Sequence, residues 1–194
     1  MQNSNKLLNT SIMTIDEILE HNRRFVNGKA YEPYRTSKYP DRKIAILTCM
    51  DTRLTTLLPA ALGLRNGEVK TIKNAGAVLD SPCGNVVRSL LVAIYELGVT
   101  EVMVIAHTDC GARQMNATEM LERMKERGVE QRTIDLMRYC GVDFAKWLQG
   151  FGDTECSVKQ TVQSLRQHPL LPKDVHVSGY IIDSVTGELA TVVA

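Results

Sequence analysis

Short apolar runs alternating with helical patterns predict an α/β chain built on a mainly parallel β-sheet flanked by helices. Three observations carry that prediction. The run Lys43-Ile44-Ala45-Ile46-Leu47-Thr48 is almost continuously apolar, as a strand buried on both faces requires. A second such run, Val102-Met103-Val104-Ile105-Ala106, follows a helical stretch at residues 86–97 that Gly98 terminates. Beyond a helical tail at 154–167, a further strand at 175–182 leads through Thr186-Gly187 into a short last strand. That closing hairpin predicts one antiparallel edge strand.

The remaining elements follow in chain order. Thr14-Ile15-Asp16-Glu17 has the capping-box spacing. It opens an amphipathic helix with Ile15, Ile18, Leu19 and Phe25 on one face, closing near Gly28. Residues 29–41 are polar, with Tyr and Pro, and read as an extended arm. A helix at 54–62 follows the first strand, and a second strand lies at 69–72. Residues 116–127 form another helix, with Asn116 as N-cap and Glu119 three residues on. His168-Pro169 stops the helical tail. No repeat, low-complexity stretch or long linker divides the chain. The expectation is a single domain over 1–194, with residues 14–28 as an N-terminal helical arm.

Composition narrows the function. The chain has 194 residues, 44% hydrophobic and 23% charged, the balance of a globular protein with a full core. No apolar run is long enough to span a bilayer. Twenty-three basic against twenty-two acidic residues leave a net charge of +1, so there is no electrostatic case for nucleic acid or a membrane surface. Aromatics at 5% supply few stacking platforms for bases. The first eighteen residues lack a continuous apolar core, so no secretory signal is expected and the chain is placed in the cytoplasm. The sequons at Asn9 and Asn116 are then irrelevant. Five cysteines form an odd set, a poor disulfide framework in a chain of this size. They are left as packing residues, metal ligands or nucleophiles.

Two clusters sit where strands end. Cys49-Met50-Asp51-Thr52-Arg53 follows the first strand, and His107-Thr108-Asp109-Cys110 follows the third. In open parallel sheets, ligands bind beyond the carboxyl ends of the strands. If these two strands are neighbours, Cys49, His107 and Cys110 converge as two thiolates and one imidazole. Cys₂His with an open fourth position is a catalytic zinc arrangement. His107 and Cys110, three apart in a turn, chelate from one side, and Cys49 ties the site to the sheet. Asp51 and Arg53 lie on the same side of the turn and can form a bidentate pair.

Cys-x-Asp-x-Arg after the first strand and His-x-x-Cys after the third resemble the β-class carbonic anhydrases. So do the segments ILTCMDTR (46–53), IKNAG (72–76), VAIYELG (92–98) and HTDCG (107–111), with 168–171 and 179–183. The likeness is to the small bacterial and archaeal members and covers roughly residues 14–190. It implies strand order 2-1-3-4 plus an edge strand, one zinc per chain on Cys49, His107 and Cys110, and a homodimer. The reaction implied is reversible hydration of carbon dioxide to bicarbonate and a proton. Zinc-bound hydroxide would be oriented by an Asp51–Arg53 dyad. One subgroup lets the aspartate swing onto the zinc, stabilised by a bicarbonate pocket. That pocket needs a Trp three residues before the first zinc Cys and an Arg immediately before the Asn that follows the second strand. Here those positions hold Ile46 and Lys73, which implies the open form with water as fourth ligand.

Other residues draw plainer expectations. Cys83, Cys140 and Cys156 lack metal-like spacing and read as packing or half-exposed thiols. His21 and His168, on predicted helices, read as solvated. His176 opens a strand, with a structural role favoured over a proton shuttle. Asp109 either orients the loop or bonds behind the ligands. The segment 74–77 borders the cleft or is an ordinary turn. Three rival functions stand beside carbonic anhydrase: hydrolysis of carbonyl sulfide or carbon disulfide, a non-catalytic zinc module, and a thiol enzyme using Cys49 with His107. Loss of Asp51 or Arg53 would mark the non-catalytic module, and both are present. A thiol enzyme would hold no metal.

Overall fold

The computed structural model describes residues 14–79 and 81–194. The sequon at Asn9 lies outside the described residues. Two compact units divide between Thr36 and Ser37.

The first unit holds α1 (Ile15–Asn27). Its capping box forms as the spacing predicts. Glu17 N–H donates to Thr14 Oγ1 at 3.2 Å, and Thr14 N–H donates to Glu17 Oε2 at 2.6 Å. The apolar stripe of Ile15, Ile18 and Leu19 is exposed.

The second unit is a five-stranded sheet of order β2-β1-β3-β4-β5. Its strands are β1 (Ile44–Cys49), β2 (Val69–Asn74), β3 (Glu101–His107), β4 (His176–Ile182) and β5 (Leu189–Val193). All pairs are parallel except β4 with β5. The predicted order and the antiparallel edge are both present.

Side-chain alternation sorts the core onto two faces. Ala45, Leu47, Val102, Val104 and Ala106 face α3 (Asn85–Tyr95) and α7 (Thr154–Arg166), meeting Leu90, Val158, Val162 and Leu165. Ile46, Ile105 and Ile182 face the other way, onto Leu54 and Leu58 of α2 (Leu54–Ala61). Helix α7 sits close against β4, because a Cβ on Gly179 would lie 2.6 Å from Val158 Cγ1.

A satellite core packs Ala117 and Leu121 of α4 (Ala117–Glu126) with Ile134, Phe144 and Leu148. Asn116 Oδ1 caps α4 as expected, accepting from the N–H groups of Thr118 and Glu119. Helices α5 (Gln131–Tyr139) and α6 (Phe144–Trp147) fall where the pattern leaves the chain unassigned. Each buries one residue, Ile134 and Phe144, too few to mark a helical period. Among the described residues, no helix is long and apolar enough to cross a membrane.

Two histidines differ in outcome. His168 was expected in solvent and is buried instead. It lies just past the end of α7, where the chain turns inward. Its Nε2 bonds to the Pro82 carbonyl at 2.7 Å, and its Nδ1 accepts from Leu170 N–H at 3.2 Å. Helical phase places a side chain only while the helix lasts. His176 pairs with Glu101 at the far end of the sheet from the His107–Ile182 pair. Six residue steps along the strand separate it from that end, about 20 Å, so the shuttle alternative has no geometric support.

Candidate metal centre

The parallel β1–β3 pairing puts both clusters at one edge of the sheet. Cys49 is the last residue of β1 and His107 the last of β3. After His107 the chain turns sharply through Asp109, whose φ is +53°. The left-handed conformation, tolerated by Asp, turns Cys110 back toward Cys49. The Sγ atoms are 3.9 Å apart, and the donor atoms of Cys49, His107 and Cys110 all lie within 4.8 Å of one another. All three side chains are buried.

The histidine tautomer follows from its partners. His107 Nδ1 lies 2.8 Å from the Thr108 carbonyl, which can only accept, so Nδ1 carries the proton. Nε2 then presents a lone pair, and it is buried with no hydrogen-bond partner. An orphaned buried acceptor facing two thiols is costly unless something electrophilic sits between them. Thr108 is held in turn by β4: its N–H donates to the Ile182 carbonyl, and its Oγ1 accepts from Ser184 N–H at 3.0 Å.

The donor set fits zinc. Tetrahedral bonds of about 2.3 Å to sulfur put two thiolates about 3.8 Å apart, close to the 3.9 Å found here. Burial works to raise the Cys49 thiol, but the His107 ring, when Nε2 carries a proton in place of a metal, and the backbone N–H groups of Gly76 and Asp51 outweigh it. The pKa falls to about 7. Cys110 goes the other way, to about 11, through burial and the neighbouring Cys49 charge. Two thiols so close cannot both ionise without a cation to share.

Arg53 grips Asp51 with a fork. Its Nε and Nη2 donate to the two carboxylate oxygens at 3.0 and 2.9 Å, and its backbone N–H adds a third bond at 2.9 Å. The Arg53 side chain is the main reason the Asp51 carboxyl sits at about 2, well below its ordinary value. Arg53 is itself fixed by Asp109, through Oδ2 at 3.0 Å and the backbone carbonyl at 2.9 Å. Asp109 therefore stands behind the dyad, one of the two roles the sequence left open.

Gly76 is the residue whose part was unreadable. Its N–H donates to Cys49 Sγ at 3.4 Å, so segment 74–77 does border the site. Its φ is +91°, the left-handed region that glycine alone enters freely. Among the thiols outside the site, Cys83, Cys140 and Cys156 are all exposed. His21 is exposed on α1.

A parallel α/β sheet carrying a buried Cys-His-Cys set that could hold a metal ion, beside a pinned Asp–Arg pair, is an arrangement of the carbonic anhydrase class. A family profile described as carbonic anhydrase matches residues 44–189. The protein YvdA of Bacillus subtilis (strain 168) is 50% identical over 182 residues, 94% of this chain and 92% of that one. The β-carbonic anhydrase isoform I of Trichomonas vaginalis is 33% identical, with a TM-score of 0.85 over 94% of this chain and 98% of that one. A carbon disulfide hydrolase of Saccharolobus solfataricus is 30% identical over 161 residues, 77% of this chain and 76% of that one. The chain belongs to the β-carbonic anhydrase family, carbonate dehydratases of the lyase class.

Proposed function

We propose that this chain catalyses the reversible hydration of carbon dioxide to bicarbonate and a proton, with one zinc held by Cys49, His107 and Cys110. The observation that carries the reading is the unpartnered Nε2 of His107, buried and facing two buried thiols. Zinc, when bound, brings the ionisation of a coordinated water to ~pH 7 and so supplies the nucleophile.

The chain's own residues do the rest. Asp51, kept ionised, is acceptor-only. Any O–H group beside it must point its proton at the carboxylate and turn a lone pair outward. Arg53 occupies both carboxylate oxygens in its own plane, so the orientation is fixed before substrate arrives. Asn74, Ala75, Ala112 and Phe151 also line a broad cleft of about 940 Å³ with Met115 and Trp147.

The test pairs zinc analysis with stopped-flow carbon dioxide hydration on the same preparation. One zinc per chain with fast hydration is expected. Activity without metal would point to the thiol reading instead. Hydrolysis of carbon disulfide is the second reading, supported by the 30% relative. The 33% structural neighbour, a β-carbonic anhydrase that matches over 94% of this chain, favours hydration. Assayed side by side, carbon dioxide should turn over far faster than carbon disulfide.

A further inference from the structure

The strap Gly150-Phe151-Gly152 contributes no metal donor, yet its ring ends against the backbone that serves one. A Cβ built on Gly76 would lie 2.8 Å from Phe151 Cε1 and 3.3 Å from both Phe151 Cδ1 and Ala112 Cβ. The ring therefore occupies the space a side chain at Gly76 would take. Gly76 N–H is the donor to Cys49 Sγ. Ala112, whose Cβ also borders that space, lies two residues past the second thiol, Cys110. Phe151 and Ala112 both pack against the buried cluster that contains Cys49 and Cys110.

The strap is held tightly. Gly150 N–H donates to the Met115 carbonyl at 2.8 Å and Gly152 N–H to the Arg113 carbonyl at 3.1 Å. Arg113 Nε returns a bond to the Gly152 carbonyl at 2.8 Å. Gly150 approaches so closely that a Cβ there would run into the Arg113 carbonyl and lie 2.7 Å from that of Ala112. A ring mounted this way has little freedom to leave Gly76. Glycine left to itself has the most backbone freedom of any residue, so an N–H at such a position stays aimed only if something confines it.

We infer that Phe151 is a positioning residue of the metal centre, clamping Gly76 so that its N–H stays on Cys49 Sγ. The inference rests on the reading of Cys49 as a metal ligand. A thiolate that accepts a hydrogen bond gives less charge to its metal, so the metal stays more electrophilic toward water. Partners of this kind behind a ligand are typically worth 10–100-fold in metal affinity or activity.

The test uses Phe151→Ala, Phe151→Leu and Phe151→Tyr. Zinc affinity is measured by competition with a chromophoric chelator, and the thiolate-to-metal charge-transfer band by cobalt substitution. Phe151→Ala should lose about 10-fold or more in zinc affinity and move the cobalt band to lower energy. Phe151→Leu should move both readings less, in the same direction, and Phe151→Tyr should restore them. Phe144→Ala, which empties the satellite core, should lower the melting temperature without moving the cobalt band. If Phe151→Ala does not fold, Phe151→Leu decides. An unmoved band with wild-type affinity in the folded variant overturns the inference, whatever happens to its melting temperature. Cys49→Ser separates the two failures. If it keeps full zinc, the metal-centre reading falls. If it loses zinc while the Phe151 variants keep theirs, only the role of Phe151 falls.

Discussion

Asp51 Oδ2 lies 3.7 Å from His107 Nε2, beside the candidate donor set yet beyond hydrogen-bonding distance of that nitrogen. All its short bonds run to Arg53, which Asp109 holds from behind. The carboxylate is thus placed to touch what enters the site without joining the donor set. Asp51→Asn, which keeps the shape and loses the charge, should retain zinc and lose about 100-fold or more in hydration rate. Arg53→Lys keeps a charge but not the planar fork, and should fall between that variant and the parent. Metal content and stopped-flow rates check both. An Asp51→Asn enzyme at the parental rate would sink the dyad.

Removing Cys49 should empty the site. Its Sγ, the Cys110 Sγ and His107 Nε2 are the donors within reach of one ion, and two donors hold zinc poorly. Cys49→Ser should lose most of its zinc on dialysis, whereas Cys140→Ser, at an exposed thiol, should lose none. Elemental analysis decides, and full zinc in Cys49→Ser refutes the ligand set.

Gly76 and Gly141 make a natural pair. Their φ values are +91° and +93°, but a Cβ on Gly141 meets nothing within 4 Å, whereas one on Gly76 meets Phe151. Backbone strain is common to both, about 1 kcal/mol. Gly76→Ala adds overpacking against a held ring, for a total of about 2–4 kcal/mol. Thermal unfolding should show the larger fall for Gly76→Ala. Equal falls would mean that Phe151 yields freely.

What the sequence made legible follows from how local each signal is. β1 and β3 are buried on both faces, so their apolar runs are unbroken and readable. Cys49, His107 and Cys110 stood out because they follow those runs directly. Helices α5 and α6 were hidden, since a nine-residue and a four-residue helix with one buried residue each carry no period. The Gly76 bond to Cys49 was hidden because its donor is backbone, and every residue has one. The Asp109 bond to Arg53 spans 56 residues, so no local spacing records it. His168 misled because its burial depends on where the chain turns after α7.

Helix α1 predicts assembly. Its Ile15, Ile18 and Leu19 are 76%, 51% and 50% exposed, an apolar stripe on a well-capped helix. Stripes of that kind mark association surfaces. The expected state is a dimer or larger, with a second copy covering the stripe. Ile18→Asp with Leu19→Asp should shift it toward monomer at micromolar concentration. Light scattering that finds the parent chain monomeric refutes this.

The last prediction concerns pH. The Asp51 carboxyl is held at about 2, first by the Arg53 side-chain hydrogen bonds, so its folded pKa lies below its unfolded one. A depressed carboxylate contributes in full above about pH 4 and loses its contribution as pH falls through its folded value. The dyad therefore stays ionised and paired throughout pH 6–9, and does not titrate in the working range. Nor does the fold offer the aspartate a reason to leave Arg53. Ile46 is buried in the core and offers no indole, and Lys73 on β2 carries charge without a planar fork. A closed form needs a ligand that prefers it. Hydration should rise with pH through one ionisation near 7, with a single-proton slope and non-cooperative inhibition by bicarbonate. Stopped-flow profiles from pH 6 to 9, with and without bicarbonate, measure both. A steep multi-proton loss below pH 8, or a crystal structure at pH 7.5 with Asp51 on the metal, would show that the dyad opens.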